Sequence, residues 1–486
     1  MPHPLLSGGI ALLLAVASGC GIVLPLPLTN APTTLPAQPT TINFVPPSTV
    51  DGLTVRTITD DSAVRHIYAG HPELPSAPAL TKRLAEVNAA AVRRFSRDAP
   101  AARPGTASTE LNVGWQLTAA SAGVYGVRLR TGSFTGGRWS NSLSTFWYDQ
   151  TARRVHDSTG LLRDAAALGT LASIVRDRLR DLGQGTRVEA VKPTGALFDS
   201  LNFNPHGDLV AEFDDGQVAP ERMGRVAVAV PTADATPLLS DFGRRAMAAV
   251  DSATPSSMPG SPPPGFTPGP QPTHEGPVDC AAARCVALTF DDGPGPDTGA
   301  LLDALARYGA RATFFTLGAS AEAQPALMRR MAAARHLVAG HAWSHRDLAT
   351  LDVRQISDEL SRTQIAIGAT TGRTPPLMRA PYGGVTPQVA ESARALGLAI
   401  IGWSVDAADA RDPDPASVAR RATAGVRPGS IVLMHDGGHA TVAALPRILT
   451  ALAARGYVFV TVPELYGPHG MEPGQVHNVG SATPAP

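Results

Sequence analysis

The stretch Cys285-Val-Ala-Leu-Thr-Phe-Asp-Asp-Gly-Pro294 decides how the rest of the chain is read. Val286 to Phe290 is an apolar run of strand length, and two carboxylates and a turn-forming Gly-Pro follow it at once. Asp-Gly-Pro alone is an ordinary turn, so its meaning depends on what comes next. What comes next is regular alternation. Helical residues Leu301 to Tyr308 lead to strand Thr313 to Thr316, helix Ala326 to Ala334 and strand His336 to Ala339. A helix from Val353 has Asp352 as N-cap, Gln355 three residues on, and Gly372 past its end. Strand Leu377 to Arg379, a helix opened by Pro387, strand Ala399 to Trp403 and a helix from Pro415 follow. Strand Ser430 to Met434, helix Ala443 to Arg455 and strand Tyr457 to Val460 complete the set. Seven strands alternating with helices predict a parallel α/β sheet, closed as a distorted barrel or doubly wound, and the (β/α)7-type barrel is preferred.

The polar residues fall on one rim of that barrel. Asp291 and Asp292 follow the first strand, His341 and His345 the third. Arg379 ends the fourth, Asp406 and Asp409 follow the fifth, and His435 follows the sixth. C-terminal strand ends are where parallel barrels keep their chemistry. His341 and His345 are spaced as if one helical turn apart, so both imidazoles can face one ion, and a carboxylate completes a three-ligand site. Adjacent carboxylates on an extended backbone point apart, so one can bind metal while the other takes a proton. Arg379 can hold the second carboxylate by a bidentate contact. His435, with an aspartate to orient it, is a candidate general acid. His336 opens a strand and reads as structural, Trp403 reads as core, and the Gly437-Gly438 break sets His439 aside.

Outside this region the chain is less regular. It has 486 residues, enough for two or three domains, and Lys+Arg and Asp+Glu are both 41. Zero net charge speaks against a nucleic-acid partner, which needs phosphate-neutralising excess. Residues 1–20 read as an export signal whose apolar core, Ile10 to Ala17, ends in Ala17-Ser-Gly-Cys20. That ending is similar to a bacterial lipobox, with Cys20 as the lipidated residue and the membrane as a partner. An ordinary cleaved signal is the rival. Residues 21–50 are a Pro/Thr-rich tether and 251–279 a Pro-rich linker. Residues 468–486 read as a disordered tail. Between tether and linker, 51–250 predicts an α+β accessory domain on an antiparallel sheet. One of its helices carries Leu80, Leu84, Val87, Ala91 and Phe95 on one face, another Leu168, Leu171, Val175, Leu179 and Leu182. An exported chain favours a disulfide between Cys280 and Cys285, worth about 2 kcal/mol for so short a loop.

The barrel's motifs carry a resemblance. Thr289-Phe-Asp-Asp-Gly-Pro294, His341-x3-His345, Arg379-Ala-Pro-Tyr382-Gly-Gly, Val405-Asp406-x-x-Asp409 and Leu433-Met-His435-Asp resemble the five motifs of the polysaccharide deacetylases, the carbohydrate esterases with a NodB homology domain. The resemblance covers residues 280–467. It implies a divalent metal, zinc or cobalt, and hydrolysis of N-acetyl groups on a glycan. It implies Asp292, His341 and His345 as metal ligands, Asp291 as general base and Arg379 as its orienting partner. The Tyr382 N–H then joins in holding the oxyanion, His435 protonates the leaving amine, Asp409 in preference to Asp406 tunes His435, and Leu433 lines the acetyl slot. Two positions depart from the pattern: Ala410 stands where the family often has Trp, and Ala342 where it has Ser or Thr. Separately, Leu201 to Phe213 with Val218-Ala-Pro220 is similar to the extracellular domain of lysozyme-sensing anti-sigma factors.

These readings predict an exported, lipid-anchored or secreted deacetylase acting on N-acetylglucosamine of peptidoglycan at the outer face of the membrane. Chitooligosaccharides or O-acetylated glycans are the substitute substrates. A wall- or lysozyme-binding sensor with a vestigial barrel is the non-enzymatic rival.

Overall fold

The computed structural model describes residues 40–62, 65–99, 108–121, 123–181, 185–251, 278–374, 376–436, 438–467 and 470–480. Cys20, the export segment and nearly all of the Pro-rich linker lie outside the described residues. By its internal contacts the chain from Pro39 onward is one compact unit. Among the described residues no helix is long and apolar enough to cross a membrane.

The accessory region is built on a six-stranded sheet of β1 (Thr54–Ser62), β2 (Arg65–Glu73), β3 (Thr109–Ser121), β4 (Val124–Thr135), β5 (Arg138–Asp149) and β6 (Arg154–Asp157), in that order. The expected sheet was antiparallel throughout. In fact β2 and β3 run parallel, because α1 (Pro78–Asp98) crosses between them. Leu80, Leu84, Ala91 and Phe95 of α1 are buried, Val87 packs half-buried against the same core, and Asn88 joins the stripe. Asn88 is tolerated because its amide donates to the Gly70 carbonyl at 2.9 Å. A second core lies between α2 (Ala165–Asp181) and the antiparallel β7 (Ser200–Phe203), β8 (Leu209–Phe213) and β9 (Val226–Val230). The short α3 (Thr232–Ala235) and α4 (Asp241–Asp251) pack against it. Part of the tether is ordered too: Ile42 is buried, and the Val45 N–H donates to the Leu117 carbonyl. Composition gave no sign of this, since these two apolar side chains sit among prolines and threonines.

The C-terminal region is a parallel sheet wrapped by helices, in agreement with the α/β expectation. Its central strand β10 (Cys285–Asp291) is buried along its whole length. The chain continues through α5 (Thr298–Arg307), β11 (Thr313–Thr316), α6 (Gly318–Ala323), α7 (Pro325–Ala333) and β12 (Leu337–Gly340). Then come α8 (Val353–Thr371), β13 (Leu377–Met378), α9 (Pro387–Ala395), β14 (Ala399–Ile401) and β15 (Val405–Asp406). Next are α10 (Pro415–Thr423), β16 (Ser430–His435), α11 (His439–Ala454), β17 (Val458–Val460), α12 (Val462–Tyr466) and β18 (Val476–His477). The sheet order is β15-β16-β10-β11-β12-β13-β14-β18, with β17 also on β10. The Asp352/Gln355 capping box and the left-handed Gly372 bound α8. Cys280 is disulfide-bonded to Cys285, the first residue of β10.

The tail corrects the sequence reading. Residues 470–480 are not frayed: β18 adds to the open edge of β14, and Val479 bridges back to Ser430 at the start of β16. Backbone pairing along a free edge needs no apolar pattern, so a polar segment can supply it. The strand expected over Ala399 to Trp403 breaks after Ile401, and Val405–Asp406 forms a separate short strand.

Candidate metal centre and active site

Each rim residue is delivered by a strand end. Asp291 closes β10, His341 follows β12, Arg379 follows β13, Asp406 closes β15 and His435 closes β16. Parallel strands in register bring these ends to one side of the sheet: Asp291 lies opposite Phe315 on β11 and opposite His435 on β16.

Asp292 leaves the strand in a left-handed backbone conformation, with φ of 74°. Its Oδ1 lies 3.0 Å from Nε2 of His345 and 3.4 Å from Nε2 of His341. These three ligand atoms lie within 4.8 Å of one another. Asp292 Oδ1 is shielded from solvent yet forms no hydrogen bond, which a buried carboxylate oxygen seldom tolerates. A cation among the three would satisfy it, so the donor set fits a divalent metal with two nitrogens and one oxygen. Burial pushes the Asp292 carboxyl up, but the two imidazoles outweigh it and hold it well below the usual carboxylate range. His341 Nδ1 is 2.9 Å from the Arg379 carbonyl, so it must carry the proton and donate, leaving Nε2 as the ligand.

The two histidines do not sit on a helix, as their spacing suggested. Ala342 and His345 have φ of 64° and 58°, and the loop doubles back to set the rings 5.2 Å apart and nearly edge to face. Non-glycine residues at positive φ cost about 1–3 kcal/mol each and persist only where their surroundings hold them. Glu359 on α8 does part of this, accepting from the N–H groups of Trp343 and Ser344 and from the Ser344 hydroxyl.

Asp291 stands beside the triad, its Oδ2 3.9 Å from His341 Nε2. Arg379, 1% exposed, reaches its Oδ1 through Nη1 at 2.7 Å. The contact is single, not bidentate. Nε and Nη2 are committed to the carbonyls of Ile401 and Gly402, and Nη1 also meets the Thr289 hydroxyl at 2.8 Å. Burial lowers the Arg379 pKa and the Asp291 carboxylate opposes that shift.

On the other side, His435 Nδ1 lies 2.8 Å from Asp409 Oδ1, while the other Asp409 oxygen accepts from the His435 N–H and the Thr441 hydroxyl. Burial pushes the Asp409 carboxyl up, but His435 and these hydrogen bonds bring it below its ordinary value. Asp406 lines the same cavity but does not bond His435: it is exposed, accepts from the Ala408 N–H and pairs with Arg411. Tyr382 occupies a tight turn at φ 57°. Leu433, Trp403, Ala410 and Tyr382 line the same small cavity as Asp291, His341, His345 and His435. Trp403 is thus part of the cavity wall and not only core. His336 is buried, accepts from the Ala312 N–H and is driven by burial down to about 3, a neutral structural imidazole.

The family model described as polysaccharide deacetylase matches residues 279–401. A chitooligosaccharide deacetylase from Bradyrhizobium sp. is 38% identical over 204 residues, which is 39% of this chain and 93% of that protein. This chain belongs to the polysaccharide deacetylase family. The peptidoglycan-N-acetylglucosamine deacetylase PgdA of Listeria monocytogenes is 43% identical over 183 residues, 37% of this chain; the chain spans 39% of that relative's length. A solved structure, the T48 deacetylase with substrate, is 36% identical over 41% of this chain and 100% of its own, with a TM-score of 0.40.

Several residues around the deacetylase motifs escaped the sequence reading. Thr289 sits inside the first motif and bonds Arg379, a role its position beside Asp291 hints at. Thr441, in the first turn of α11, has no such signal. Asp436 was passed over as part of the His435 motif. Its carboxyl is buried against Gly293, bonded to Thr298, and pushed by burial up to about 7.

Proposed function

We propose that this protein is an exported, metal-dependent N-deacetylase that removes acetyl groups from N-acetylglucosamine residues of peptidoglycan and releases acetate. The observation that carries the proposal is the convergence of Asp292, His341 and His345 on one point, beside an Asp291 carboxylate fixed by a buried arginine. A divalent ion held by those three residues, zinc or cobalt, supplies Lewis-acid polarisation of the acetyl carbonyl and makes water more acidic.

The chain's own groups account for the proton movements. Asp291, held by Arg379, takes a proton from the attacking water as its oxygen adds to the acetyl carbon. The Tyr382 N–H supports the oxyanion that develops. His435 gives a proton to the glucosamine nitrogen as the C–N bond breaks, and Asp409 orients its ring and favours its charged form. Leu433 offers the acetyl methyl an apolar wall. Asp406 is not the partner of His435, because its carboxylate is engaged by the Ala408 N–H and Arg411 on the cavity wall. Cys20 is proposed as a lipid anchor at the outer face of the membrane, where peptidoglycan is the nearest polymer.

The test is acetate release by the full chain from N-acetylated peptidoglycan and from chitooligosaccharides, with zinc or cobalt added. Asp291→Asn is expected to lower turnover by roughly 10²-fold or more. Equal rates for wild type and variant exclude Asp291 as the base. No turnover on any acetylated glycan, together with tight binding to lysozyme or wall fragments, replaces the enzyme with a sensor.

A further inference from the structure

Strands β2 and β3 of the accessory region pair in parallel with His66 opposite Glu110 and Tyr68 opposite Asn112. Alternate residues of a strand share a face, so these four side chains leave the sheet on the same side. All four meet the metal centre. The Tyr68 ring stacks on the ligand His345 at 5.0 Å and 15°, and the His66 ring stacks on Tyr382 at 3.9 Å and 4°. Asn112 donates to the Ser344 carbonyl at 2.8 Å, and both Glu110 oxygens lie 3.2 Å from the Asp347 N–H. His66 Nδ1 is also 3.4 Å from the Asp347 carboxylate. The four residues are buried.

These contacts land on residues 344, 345, 347 and 382. Two of them, His345 and Tyr382, hold left-handed backbone conformations that isolated loops would abandon. We infer that the β2–β3 face is a working part of the metal centre: the accessory domain clamps the His341–His345 loop and the Tyr382 turn in the geometry that binds the ion. His66, Tyr68, Glu110 and Asn112 are positioning residues, since none reaches the ligand point itself. This inference rests on the metal reading above.

The test uses the full chain and the variants Tyr68→Leu, which removes the ring, and Tyr68→Phe, which keeps it. Zinc affinity, measured by competition with a chromophoric chelator, is expected to fall at least about tenfold in Tyr68→Leu and to be largely rescued in Tyr68→Phe. The visible spectrum of the cobalt-loaded protein shifts in the leucine variant only, and kcat falls more than KM rises. Wild-type zinc titration tests the metal reading on its own. Amide exchange of residues 341–347 in metal-free protein tests the clamp on its own, with exchange about tenfold faster in Tyr68→Leu. Unchanged exchange and unchanged zinc affinity in a folded Tyr68→Leu overturn the inference. Should that variant not fold, Asn112→Ala removes one hydrogen bond and leaves both rings, and a loss of about threefold in zinc affinity is expected. No loss there overturns it equally.

Discussion

Replacing Arg379 by methionine separates what this side chain does for the fold from what it does for Asp291. The guanidinium is 1% exposed and lies 4.3 Å above the Phe315 ring. Its hydrogen bonds run to Asp291, Thr289, Ile401 and Gly402. Methionine refills part of the volume but strands a buried carboxylate and two carbonyl oxygens. Breaking a buried pair from one side costs about 3–5 kcal/mol, and each orphaned carbonyl about 1–3 kcal/mol before relaxation. These losses overlap, so the variant should lose about 5 kcal/mol, a large share of an ordinary domain's stability. The assay is equilibrium urea unfolding of metal-free protein, following tryptophan fluorescence. A double variant adds the sharper test. Asp291→Asn removes the stranded charge, so in the Arg379→Met background it should restore about 2 kcal/mol, although Asn alone destabilises. A loss below about 1 kcal/mol for Arg379→Met, or strict additivity of the pair, would refute the buried ion pair as the source of order here.

Other expectations follow from the same geometry. Asp409→Asn should cut turnover by about 10²-fold or more while zinc affinity stays within twofold or so, because Asp409 touches His435 and no metal ligand; parallel kinetic and metal titrations check it. Burial and the neighbouring Asp214 push the Asp199 carboxyl up from 3.8 to about 7. A raised acid binds its proton in the folded state, so this contribution is fully present below pH 4 and is lost as pH rises toward 7. Asp199 is partly exposed, which brings the expected span down to about 2 kcal/mol; Asp199→Asn should flatten stability between pH 4 and 7 by that amount in urea titrations. Ending the chain at residue 474 removes β18, with its ladder bonds to Ile400 and Gly402 and the Val479 carbonyl that Tyr466 bonds. At about 1 kcal/mol each, the loss is about 3 kcal/mol, seen as a lower thermal midpoint.

What the sequence revealed was whatever local order encodes. The strand–helix alternation after Cys285 is a period signal, and the rim residues follow because parallel strands must present their C-terminal ends together. His341 and His345 could be paired from their spacing, but the choice of Asp292 over Asp291 as their partner came only from the resemblance to the polysaccharide deacetylases. The mutual orientation of the three was not legible. It depends on left-handed turns at Asp292, Ala342 and His345, where no glycine marks the bend. The single bond from Arg379 to Asp291, in place of a fork, reflects carbonyls at Ile401 and Gly402 that no motif announces.

The least legible part was β2. His66, Tyr68, His71 and Pro72 do not read as a strand, and the alternation of apolar residues is weak. His66 and Tyr68 are buried because they face the deacetylase loops, and His71 because it faces Asn88 of α1 on the other side of the strand. The bond between Glu110 and Asp347 joins residues 237 positions apart. Burial and the Asp347 charge push the Glu110 carboxyl up to about 8. Such a group looks like a surface acid until the fold brings its partner.

Asp292, His341 and His345 are proposed to hold one cation beside Asp291. Anomalous diffraction at the zinc edge from crystals of the zinc-loaded chain tests it most directly. A single strong peak bounded by Asp292 Oδ1 and the Nε2 atoms of His341 and His345 is expected, and it should disappear in His341→Ala. Zinc bound elsewhere in wild type, with this triad empty and its imidazoles turned to other partners, would contradict it.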